Sequence, residues 1–572
     1  MLDITDIGQA SRTLYWSLLG GMSFAALFGV AALRVRAISP AVRGALIANA
    51  AIVALLLLFF AGLFLQRIVL QERLLSGDES STRYQAQLFA AGELWHEPVS
   101  PELRPLFLRH HVVVHKDREF SKYPPGTALF GALFILLERP GAMNLAVTAL
   151  SLLLLLWLAR LLSGGWIVPL LAAVPFLFST TTLFHAASWF SHPAAMLFLL
   201  ATLIALIRAE RAVAAPRRRA GYLLTGLLLG ALLLTRPFDA ALTALAIACY
   251  HLWDLVASRD RRALLRHWLA RRWEWFALVA GGTVGAALFL GYQKLYTGSW
   301  LLSPYRLYDR SGEVLAELDL SGGHLVGRGL TELTPRFLQQ QWEWSSGVVM
   351  LLAALYVLLR FLSSARPLPR SATAAHSPWR RHIGTSLKRS ERLVILLPLL
   401  FILGYALHPF SGGDGYGARY YYPVFWCWCY AAAALVHYLA RRFRQGRGAF
   451  LYLLFLIAVT VPFGDRLDDA CRTMHAEMTR RYGFLDEMDT LIPSPERAIV
   501  LLRRVPVYDA GFYVRHAPAA EERILYGRAR PRFTAMRQLE AAFPGRTIYF
   551  YDHDRAAGSG RLERLGRRRE EP

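Results

Sequence analysis

Cysteine is scarce in this chain. The four cysteines among 572 residues are too few and too scattered for a disulfide framework. Three of them, Cys249, Cys427 and Cys429, lie in apolar stretches, and Cys471 has no obvious partner in the sequence. Because Cys427 and Cys429 are two residues apart, a helix would place them on different faces, which argues against a metal pair. The cysteines are expected to be small core residues.

Two further absences narrow the class of protein. The sequence contains no evident internal repeat of the kind that many transporters have. No small-residue cleavage site follows the first apolar stretch, and a second apolar stretch comes soon after it. We therefore expect the first stretch to be retained as a helix and not removed as a signal.

Acidic residues are outnumbered by basic ones, 41 against 64, which gives a formal net charge of +23. In a soluble protein such a charge would favour a nucleic acid or an anionic surface as the partner. Here the arginines gather in short segments between apolar runs, so that interpretation weakens. The charge is better explained by the loops of a membrane protein, and no nucleic-acid partner is expected.

Long apolar runs are what the chain does have, since 55% of its residues are hydrophobic. Several runs approach the length of about 20 residues that a bilayer requires. The clearest are residues 14–33, 46–65, 145–162, 187–207, 277–291, 348–362, 393–407, 420–439 and 449–461. The sequence therefore predicts an all-α polytopic membrane protein with about twelve transmembrane helices.

The arginine-rich segments predict the orientation, because such loops stay on the cytoplasmic side. They are residues 34–43, 208–219, 259–272, 366–392 and 441–447. This places the N-terminus outside and brings the second span back to the outer face. The apolar stretch 127–137 is only about half as long as a crossing and follows the chain-breaking "YPPG", so we expect a helix in the outer interface. Residues 67–140 then form one large external loop.

The chain becomes polar after residue 462. Strand-like runs at 498–505 and 546–554, with a helical pattern at 534–543 between them, predict a small α/β domain. The predicted organisation is a membrane domain over 1–462 and an external soluble domain over 463–572. We expect the protein in the cell (inner) membrane, with the C-terminal domain and the active site on the periplasmic side.

The external loop opens with "SGDESSTRYQAQLFAAGELW", in which Asp78 and Glu79 come directly after an apolar run. The plainest interpretation is a helix start, with Asp78 as a good N-cap and Arg83 pairing back to Glu79 at four-residue spacing. The same loop then supplies "RHHVVVHKDREFSKYPPG", whose cationic and titratable side chains are His110, His111, His115, Lys116 and Lys122. The presence of these side chains in the same loop as Asp78 and Glu79 favours a functional site.

The arrangement resembles the GT-C class of membrane glycosyltransferases, and within it the protein mannosyltransferases and aminoarabinose transferases. That subgroup has an Asp-Glu motif just after a transmembrane helix, followed by Tyr, Gly and Pro. "DESSTRYQAQLFAAGELWHEP" fits with Asp78, Glu79, Tyr84, Gly92 and Pro98. Similar stretches are "FSKYPPGTALFGALF", "FSTTTLFHAASWFSHPAAM", "LLTRPFDAAL", "YTGSWLLSPY", "GHLVGRGL" and "GYGARYYYPVF". The resemblance covers most of the chain, though each motif is short.

The resemblance implies inverting transfer of a sugar from a polyprenyl-phosphate carrier to an external acceptor. It makes Asp78 the candidate base or acceptor-orienting acid, with Glu79 as its support. Lys122, Arg236 and Arg419 become candidates for holding the phosphate, since arginine offers bidentate contacts and lysine a point charge. Snorkelling at the interface is the simpler explanation of these cations. The remaining substrate-binding candidates are Arg83, Tyr84, Tyr123, His192 and Tyr420.

One stretch departs from the resemblance. Some relatives carry a second acid in the external turn where this chain has "SWFSHP", which gives His192 and no carboxylate. The question of a divalent metal therefore stays open, with Asp78, Glu79 and His192 as candidate ligands and no certain cofactor. His185 and His324 could serve a softer ion, although a histidine near an interface is more often structural.

Two other functions compete with the enzyme. A lipid or sugar transporter or flippase would place ionisable residues mid-membrane and show repeats, whereas the unusual residues here cluster at one face. A scaffold presenting the external domain would not need an acidic pair near Lys122. The sequence leaves the sugar open, and also the acceptor, which could be a protein, lipid A, a cell-wall polysaccharide or a glycolipid.

Overall fold

The structure is a computed structural model that describes residues 4–34, 39–107, 111–257, 266, 268–310, 339, 346–365, 389–406, 418–443, 447–503, 523–529, 536–554 and 559–565. Several predicted features fall partly or wholly outside these residues. They include the "GHLVGRGL" motif with His324, His110, and most of the arginine-rich segment 366–392.

Helices dominate the described chain. In the first half they are α1 (Ile4–Arg34), α2 (Pro40–Phe64), α3 (Gly77–Ala90), α4 (Arg104–Phe107), α5 (Pro125–Leu136), α6 (Ala142–Ser163), α7 (Ile167–Leu177), α8 (Thr180–Ala187), α9 (His192–Arg211), α10 (Ala215–Thr235) and α11 (Pro237–Ala257). In the second half they are α12 (Arg272–Thr297), α13 (Pro304–Arg310), α14 (Gly347–Ala365), α15 (Arg392–Ala406), α16 (Phe425–Ala440), α17 (Arg447–Leu491) and α18 (Met536–Ala542). A π-helical turn, Leu65–Val69, and 3₁₀ turns at Arg389–Glu391 and Arg419–Val424 complete the helical elements.

Six helices of the described chain are long and apolar enough to cross a membrane, and the bent pair α7–α8 would make a seventh. Three shorter apolar helices, Pro125–Leu136, Gly347–Arg360 and Arg392–Ala406, accompany them. The predicted fold class, a helical multi-pass membrane protein with a small C-terminal α/β region, is confirmed. The number of about twelve crossings stays a prediction.

The bundle has two distinct ends. At one end the basic segments meet: Arg218 pairs with Glu274 at 3.1 Å, and Arg271 pairs with Glu210 at 2.9 Å. Helix α9 runs from this end to His192 at the other, over 20 residues or about 30 Å. Parts of the segments 208–219 and 259–272 thus lie at the end of the bundle opposite His192. This agrees with the expectation that both segments lie on the same side of the membrane. Which end faces the cytoplasm stays a prediction.

Glycines bring α10 and α12 close together. A Cβ on Gly230 would meet the Cα of Gly285 at 2.7 Å, and a Cβ on Gly281 would meet the backbone N of Leu227 at 2.8 Å. The glycines recur every four residues on each helix, at 226 and 230 and at 281 and 285. This small-residue spacing lets two membrane helices pack backbone to backbone.

The first loop is built around α3 and a short hairpin. Strand β1 (Val112–His115) pairs antiparallel with β2 (Arg118–Ser121), and His111 lies opposite Lys122 just beyond the paired residues. Helix α5 has 12 residues, about 18 Å, which is too short to cross a bilayer. Its leucines 129, 133, 136 and 137 are exposed while Ala128 and Ala132 are buried. The predicted short helix is present, and its place in the interface stays a prediction.

Helix α17 is the longest element, with 45 residues or about 68 Å. A bilayer core of about 30 Å accounts for less than half of it. The helix continues through Pro462 to Leu491, so the domain boundary predicted at 462–463 lies inside it. That boundary stays a prediction of where the chain leaves the membrane.

A four-stranded sheet follows α17, with the strand order β4-β3-β5-β6. Its strands are β3 (Ala498–Arg503), β4 (Ile524–Arg528), β5 (Thr547–Asp554) and β6 (Ser559–Arg564), of which only β6 runs antiparallel to its neighbour. Val500 and Leu502 face the core shared with α17, whereas Ile499 and Leu501 face a separate core. The sheet is therefore covered on both faces, as the apolar run of β3 requires.

Candidate active site

The acidic motif forms the start of α3. Ser76 is the N-cap: its backbone is extended, and its hydroxyl accepts a hydrogen bond from the backbone N–H of Glu79 at 3.4 Å. The Glu79 carboxylate in turn accepts from the backbone N–H of Ser76 at 3.0 Å, which completes a capping box. The interpretation of Asp78 as the N-cap is wrong, because Ser76 already satisfies the free N–H. Asp78 is thereby left free to point elsewhere.

Glu79 is a buried link between the loop and the helical bundle. Its Oε2 also accepts from the backbone N–H of Leu75 at 3.0 Å, and its Oε1 accepts from that of Trp189 at 2.8 Å. Burial raises the pKa of Glu79 to about 7, although three backbone N–H donors favour the charged form. Glu79 ties the start of α3 to the turn before α9.

Asp78 is the centre of a charged cluster. Its Oδ1 accepts hydrogen bonds from the hydroxyl of Tyr123 at 2.5 Å and from Nε2 of His111 at 3.1 Å. Its Oδ2 lies 3.1 Å from a guanidinium nitrogen of Arg419. The Asp78 side chain is 23% exposed, so a molecule in solution can reach it. One carboxylate thus gathers a phenol, an imidazole and a guanidinium from three parts of the chain.

The protonation states in this cluster follow from burial and charge. Burial raises the pKa of Asp78, but Arg419, His111 and Lys122 outweigh it and hold the pKa well below its usual range. Burial and the Lys122 charge lower the pKa of His111 to about 4. Burial and the Asp78 charge raise the pKa of the Tyr123 hydroxyl well above its usual range. At neutral pH, Asp78 is therefore an anion that accepts from a neutral His111 and a neutral Tyr123.

Lys122 lies in a pocket of aromatic rings. Its Nζ is 4.5 Å from the ring centres of both Tyr305 and Tyr308, and 5.2 Å from that of Tyr123. Lys122 is buried, with 5% of its surface exposed. Three ring faces stabilise the ammonium group at a position where its charge acts on the Asp78 carboxylate.

A second cationic group lies between α10 and α11. The Arg236 guanidinium contacts the carboxylate of Asp239 at 2.7 Å, the hydroxyl of Ser191 at 3.1 Å and that of Tyr405 at 3.0 Å. Tyr405 also donates to Asp239. Because three side chains hold Arg236, it is a fixed charge and not a mobile surface arginine.

Tyr420 joins the two arginine groups. Its ring centre lies 5.5 Å from the Arg236 guanidinium and 5.6 Å from that of Arg419. The ring also stacks near His192, with centres 5.9 Å apart. His192 is 1% exposed, and both of its ring nitrogens are buried without a hydrogen-bond partner among the described residues. The motifs around residues 236, 419 and 192 therefore meet in one place.

Most of the predicted site residues come together. The cluster contains Asp78, Lys122, Tyr123, His192, Arg236, Arg419 and Tyr420. Glu79, the buried residue that follows Asp78 in α3, adjoins the cluster. Arg83 and Tyr84 lie elsewhere: the Arg83 guanidinium lies 5.8 Å from the Trp189 ring centre, and Tyr84 packs with Leu88 and Val112. Tyr84 thus belongs to the packing of the loop. All of these site assignments stay predictions as far as their roles are concerned.

Sequence reasoning left several members of the cluster out of the proposed site. They are His111, Asp239, Tyr305, Tyr308 and Tyr405. The signals were weak: "RPFD" places Asp239 three residues from Arg236, and "SPYRLY" spaces two tyrosines by one helical turn. Nothing in the sequence links Tyr405 to this place.

The carboxylates of the cluster do not fit a divalent metal as they are arranged. Among the described residues, no group of three or more His, Cys, Asp or Glu side chains is placed to hold a metal ion. Both oxygens of Glu79 accept backbone N–H groups. The Arg419 guanidinium lies where a cation would neutralise Asp78.

Comparison with known proteins gives a likeness in fold. No family model matches the chain, and no curated protein matches it in sequence. Among solved structures, the apo oligosaccharyltransferase of Archaeoglobus fulgidus is similar over 81% of this chain, with 11% identity and a TM-score of 0.47. This chain covers 63% of that protein, under two thirds of its length.

ArnT from Cupriavidus metallidurans, bound to undecaprenyl phosphate, is similar over 87% of this chain and 92% of its own, with 12% identity and a TM-score of 0.43. The likeness to both structures is one of fold.

Proposed function

We propose that this chain is a membrane glycosyltransferase. It moves a sugar from a polyprenyl-phosphate carrier to an acceptor hydroxyl on the external, periplasmic face, with inversion. The observation that carries the proposal is the contact between Asp78 and Arg419, with Lys122 beside them, at one end of an apolar helix bundle. A carboxylate and two cations at such a place suit a reaction between a hydroxyl and a lipid phosphate.

The reaction is a single displacement. The acceptor oxygen attacks the anomeric carbon of the donor sugar, and the bond from that carbon to the phosphate oxygen breaks. The acceptor's proton passes to the Asp78 carboxylate, and the polyprenyl phosphate leaves with the bonding electrons. Attack from the face opposite the leaving group inverts the configuration. Asp78 serves as general base, which contributes about 100- to 10,000-fold in enzymes.

Arg419 and Lys122 stabilise the leaving phosphate. Its negative charge grows in the transition state, so fixed cations near it lower the barrier. Arg419 supplies a fork of N–H donors, and Lys122 a point charge held by its tyrosines. The polyprenyl tail stays in the lipid while the phosphate lies at the bilayer edge. Arg236, locked by Asp239, holds a guanidinium in a fixed position beyond Tyr420.

The contact between Asp78 and Arg419 also links donor binding to base strength. Without a donor, Arg419 holds the pKa of Asp78 well below its usual range, which makes the carboxylate a weak base. A donor phosphate attracts the same guanidinium and weakens its hold on Asp78. The pKa of Asp78 then rises, and the carboxylate becomes a better proton acceptor only when the donor is in place.

Donor binding by matched arginine variants tests the proposal. Arg419→Gln is compared with Arg271→Gln, which breaks a 2.9 Å contact with Glu210 at the opposite end of the bundle. The probe is undecaprenyl phosphate, the ligand of the ArnT structure, and binding is followed by native mass spectrometry in detergent. We expect Arg419→Gln to weaken binding about tenfold or more and Arg271→Gln to leave it unchanged, since a charge-assisted hydrogen bond contributes about 1.5–3 kcal/mol. Equal binding by both variants would contradict the phosphate role of Arg419.

The transporter hypothesis is the alternative. It predicts ionisable groups midway along the spans, whereas Asp78, Lys122 and Arg419 gather at one end of the bundle. A flippase would also move labelled lipid between the leaflets of a proteoliposome without any change in its sugar. Recovery of intact donor from the opposite leaflet, with no transfer product, would favour that function.

A further inference from the structure

The C-terminal half of α17, which we call its outer half, is hydrogen-bonded to the peptide that directly precedes α3. The Arg481 guanidinium donates to the carbonyl of Leu75 at 2.7 Å, and the hydroxyl of Tyr482 donates to that of Leu74. One turn earlier on α17, Thr479 accepts from the side-chain amide of Gln71 at 3.0 Å. Gln71, Leu74 and Leu75 are therefore all bound to one short stretch of α17, residues 479–482.

These contacts continue into the acidic pair. Leu75, whose carbonyl accepts from Arg481, donates its own N–H to Glu79 at 3.0 Å. Glu79 accepts in turn from the backbone N–H of Trp189 at 2.8 Å. Asp78 stands one residue before Glu79 in the first turn of α3. A displacement of Leu75 by α17 would thus move the turn that carries Asp78.

The sheet fixes the outer end of α17. Phe484 stacks on Tyr551 of β5 with ring centres 5.6 Å apart, and Met488 and Ile492 are fully buried in the same core. The hydroxyl of Tyr551 also donates to Glu487 at 2.8 Å. A helix that projects beyond a bilayer would bend or fray if nothing covered its apolar face. The sheet supplies that cover.

The same sheet also binds the first loop a second time. On its other face, α4 contributes Leu106 and Phe107 to a core with Leu501 and Leu539, and the Phe107 and Phe543 ring centres are 5.5 Å apart. Phe107 precedes His111, a partner of Asp78, by four residues. The loop is therefore held on both sides of the acidic cluster by the outer half of α17 and the sheet, which we call the C-terminal unit (residues 471–565).

We propose that the C-terminal unit positions the active site. Arg481 and Tyr482 are positioning residues that set the start of α3, and with it the place of Asp78 opposite Arg419. Their side chains bind the carbonyls of Leu75 and Leu74, so their effect on Asp78 passes through that peptide. This gives the C-terminal unit a role in the transfer reaction that needs no substrate contact of its own, and to that extent it rests on the proposed function.

The first test needs no activity. Hydrogen–deuterium exchange is measured on peptides covering residues 74–84 in the wild type, Tyr482→Phe and Arg481→Gln. The matched control is Tyr549→Phe, which also loses one tyrosine hydroxyl bond in the same unit, the one donated to Glu496 at 2.8 Å beyond the end of α17. Loss of one hydrogen bond of typical strength should speed local opening about 2- to 13-fold. Faster exchange in both test variants, with none in the control, is the expected result.

The second test separates positioning from stability. In transfer assays, Tyr482→Phe and Arg481→Gln should lower kcat by a similar factor while the KM for the donor stays constant, because the cations that hold the donor are untouched. Arg481→Lys should recover most of the rate, since an ammonium group can still donate to Leu75. Thermal unfolding of the two test variants should match that of Tyr549→Phe.

The outcomes distinguish the two proposals. Unchanged exchange over residues 74–84 would overturn the positioning role whatever the activity. Faster exchange with no transfer by the wild type would leave the positioning role intact and remove the proposed function. An equal loss of kcat in Tyr549→Phe would show a general loss of stability and would overturn the specific role of Arg481 and Tyr482.

Discussion

Asn in place of Asp78 removes one charge while keeping the size of the side chain. The Asn oxygen can still accept from Tyr123 and His111, which contribute two of the three contacts of the carboxylate. What disappears is the anion that pairs with Arg419 at 3.1 Å and that can take a proton. Because Ser76 is the N-cap of α3, the substitution leaves the helix start in place.

The structure allows the two costs to be compared. Asp78 is 23% exposed and Arg419 is 9% exposed, so the lost contact resembles a charge-assisted hydrogen bond of about 1.5–3 kcal/mol and not a fully buried ion pair. Loss of a general base costs about 100- to 10,000-fold in rate, which equals about 2.7–5.4 kcal/mol in activation free energy. The cost in activation free energy should therefore exceed the cost in stability.

The assay is turnover of a labelled polyprenyl-phosphate sugar by purified Asp78→Asn, with thermal unfolding measured in parallel. Glu210→Gln is the matched control, because it breaks the contact with Arg271 at the opposite end of the bundle. We expect similar unfolding temperatures for the two variants and transfer lost only in Asp78→Asn. A near-normal kcat for Asp78→Asn would refute the role of this carboxylate and leave the acidic pair as part of a helix start.

Three further predictions follow from the same geometry. The pKa of Glu79 is raised from 4.5 to about 7, so its contribution to stability is fully present below pH 4.5 and is lost as the pH rises through 7. The unfolding temperature of the wild type should therefore fall more between pH 5.5 and 8.5 than that of Glu79→Gln. Parallel curves of unfolding temperature against pH for the two proteins would contradict this. Tyr305→Leu removes one ring from the Lys122 pocket. We expect the KM for the donor to rise about two- to tenfold, because a cation–π contact of about 0.5–1 kcal/mol or more is lost. The control is Tyr438→Leu, which removes the ring that lies under Arg442 and should leave KM unchanged. Single cysteines at positions 375 and 510 of a cysteine-free variant, both outside the described residues, should be labelled by an impermeant reagent in intact spheroplasts only at 510, and labelling at 375 would overturn the orientation.

Much of the architecture follows from local pattern. Apolar length predicts membrane helices because the bilayer fixes the required span. The chain-breaking "YPPG" followed by the apolar stretch 127–137 predicts a short helix, which the structure has at Pro125–Leu136. Strands β3 and β5 and the helix α18 lie within the segments predicted for them. Each of these features depends on residues that are close together in the sequence.

The parts that escaped prediction depend on residues far apart. The N-cap of α3 depends on the backbone at Ser76, which left Asp78 free for a contact with Arg419, 341 positions later. The packing of α4 against the sheet joins Phe107 to Phe543, and neither segment carries a motif that names the other. Tyr84 matched the family pattern but packs in the loop, because the helical turn of α3 places it away from Asp78.

The central claim is that the Asp78 cluster transfers a sugar from a lipid phosphate. The most direct measurement is product formation by the purified protein in lipid nanodiscs, with membrane glycolipids and proteins as acceptors. The donors are a set of polyprenyl-phosphate sugars and, separately, the corresponding nucleotide sugars. We predict a glycosylated product and release of polyprenyl phosphate with a lipid-linked donor only, and loss of both in Asp78→Asn and Arg419→Gln. Normal turnover with a nucleotide sugar alone, or equal product from the two variants, would contradict the account.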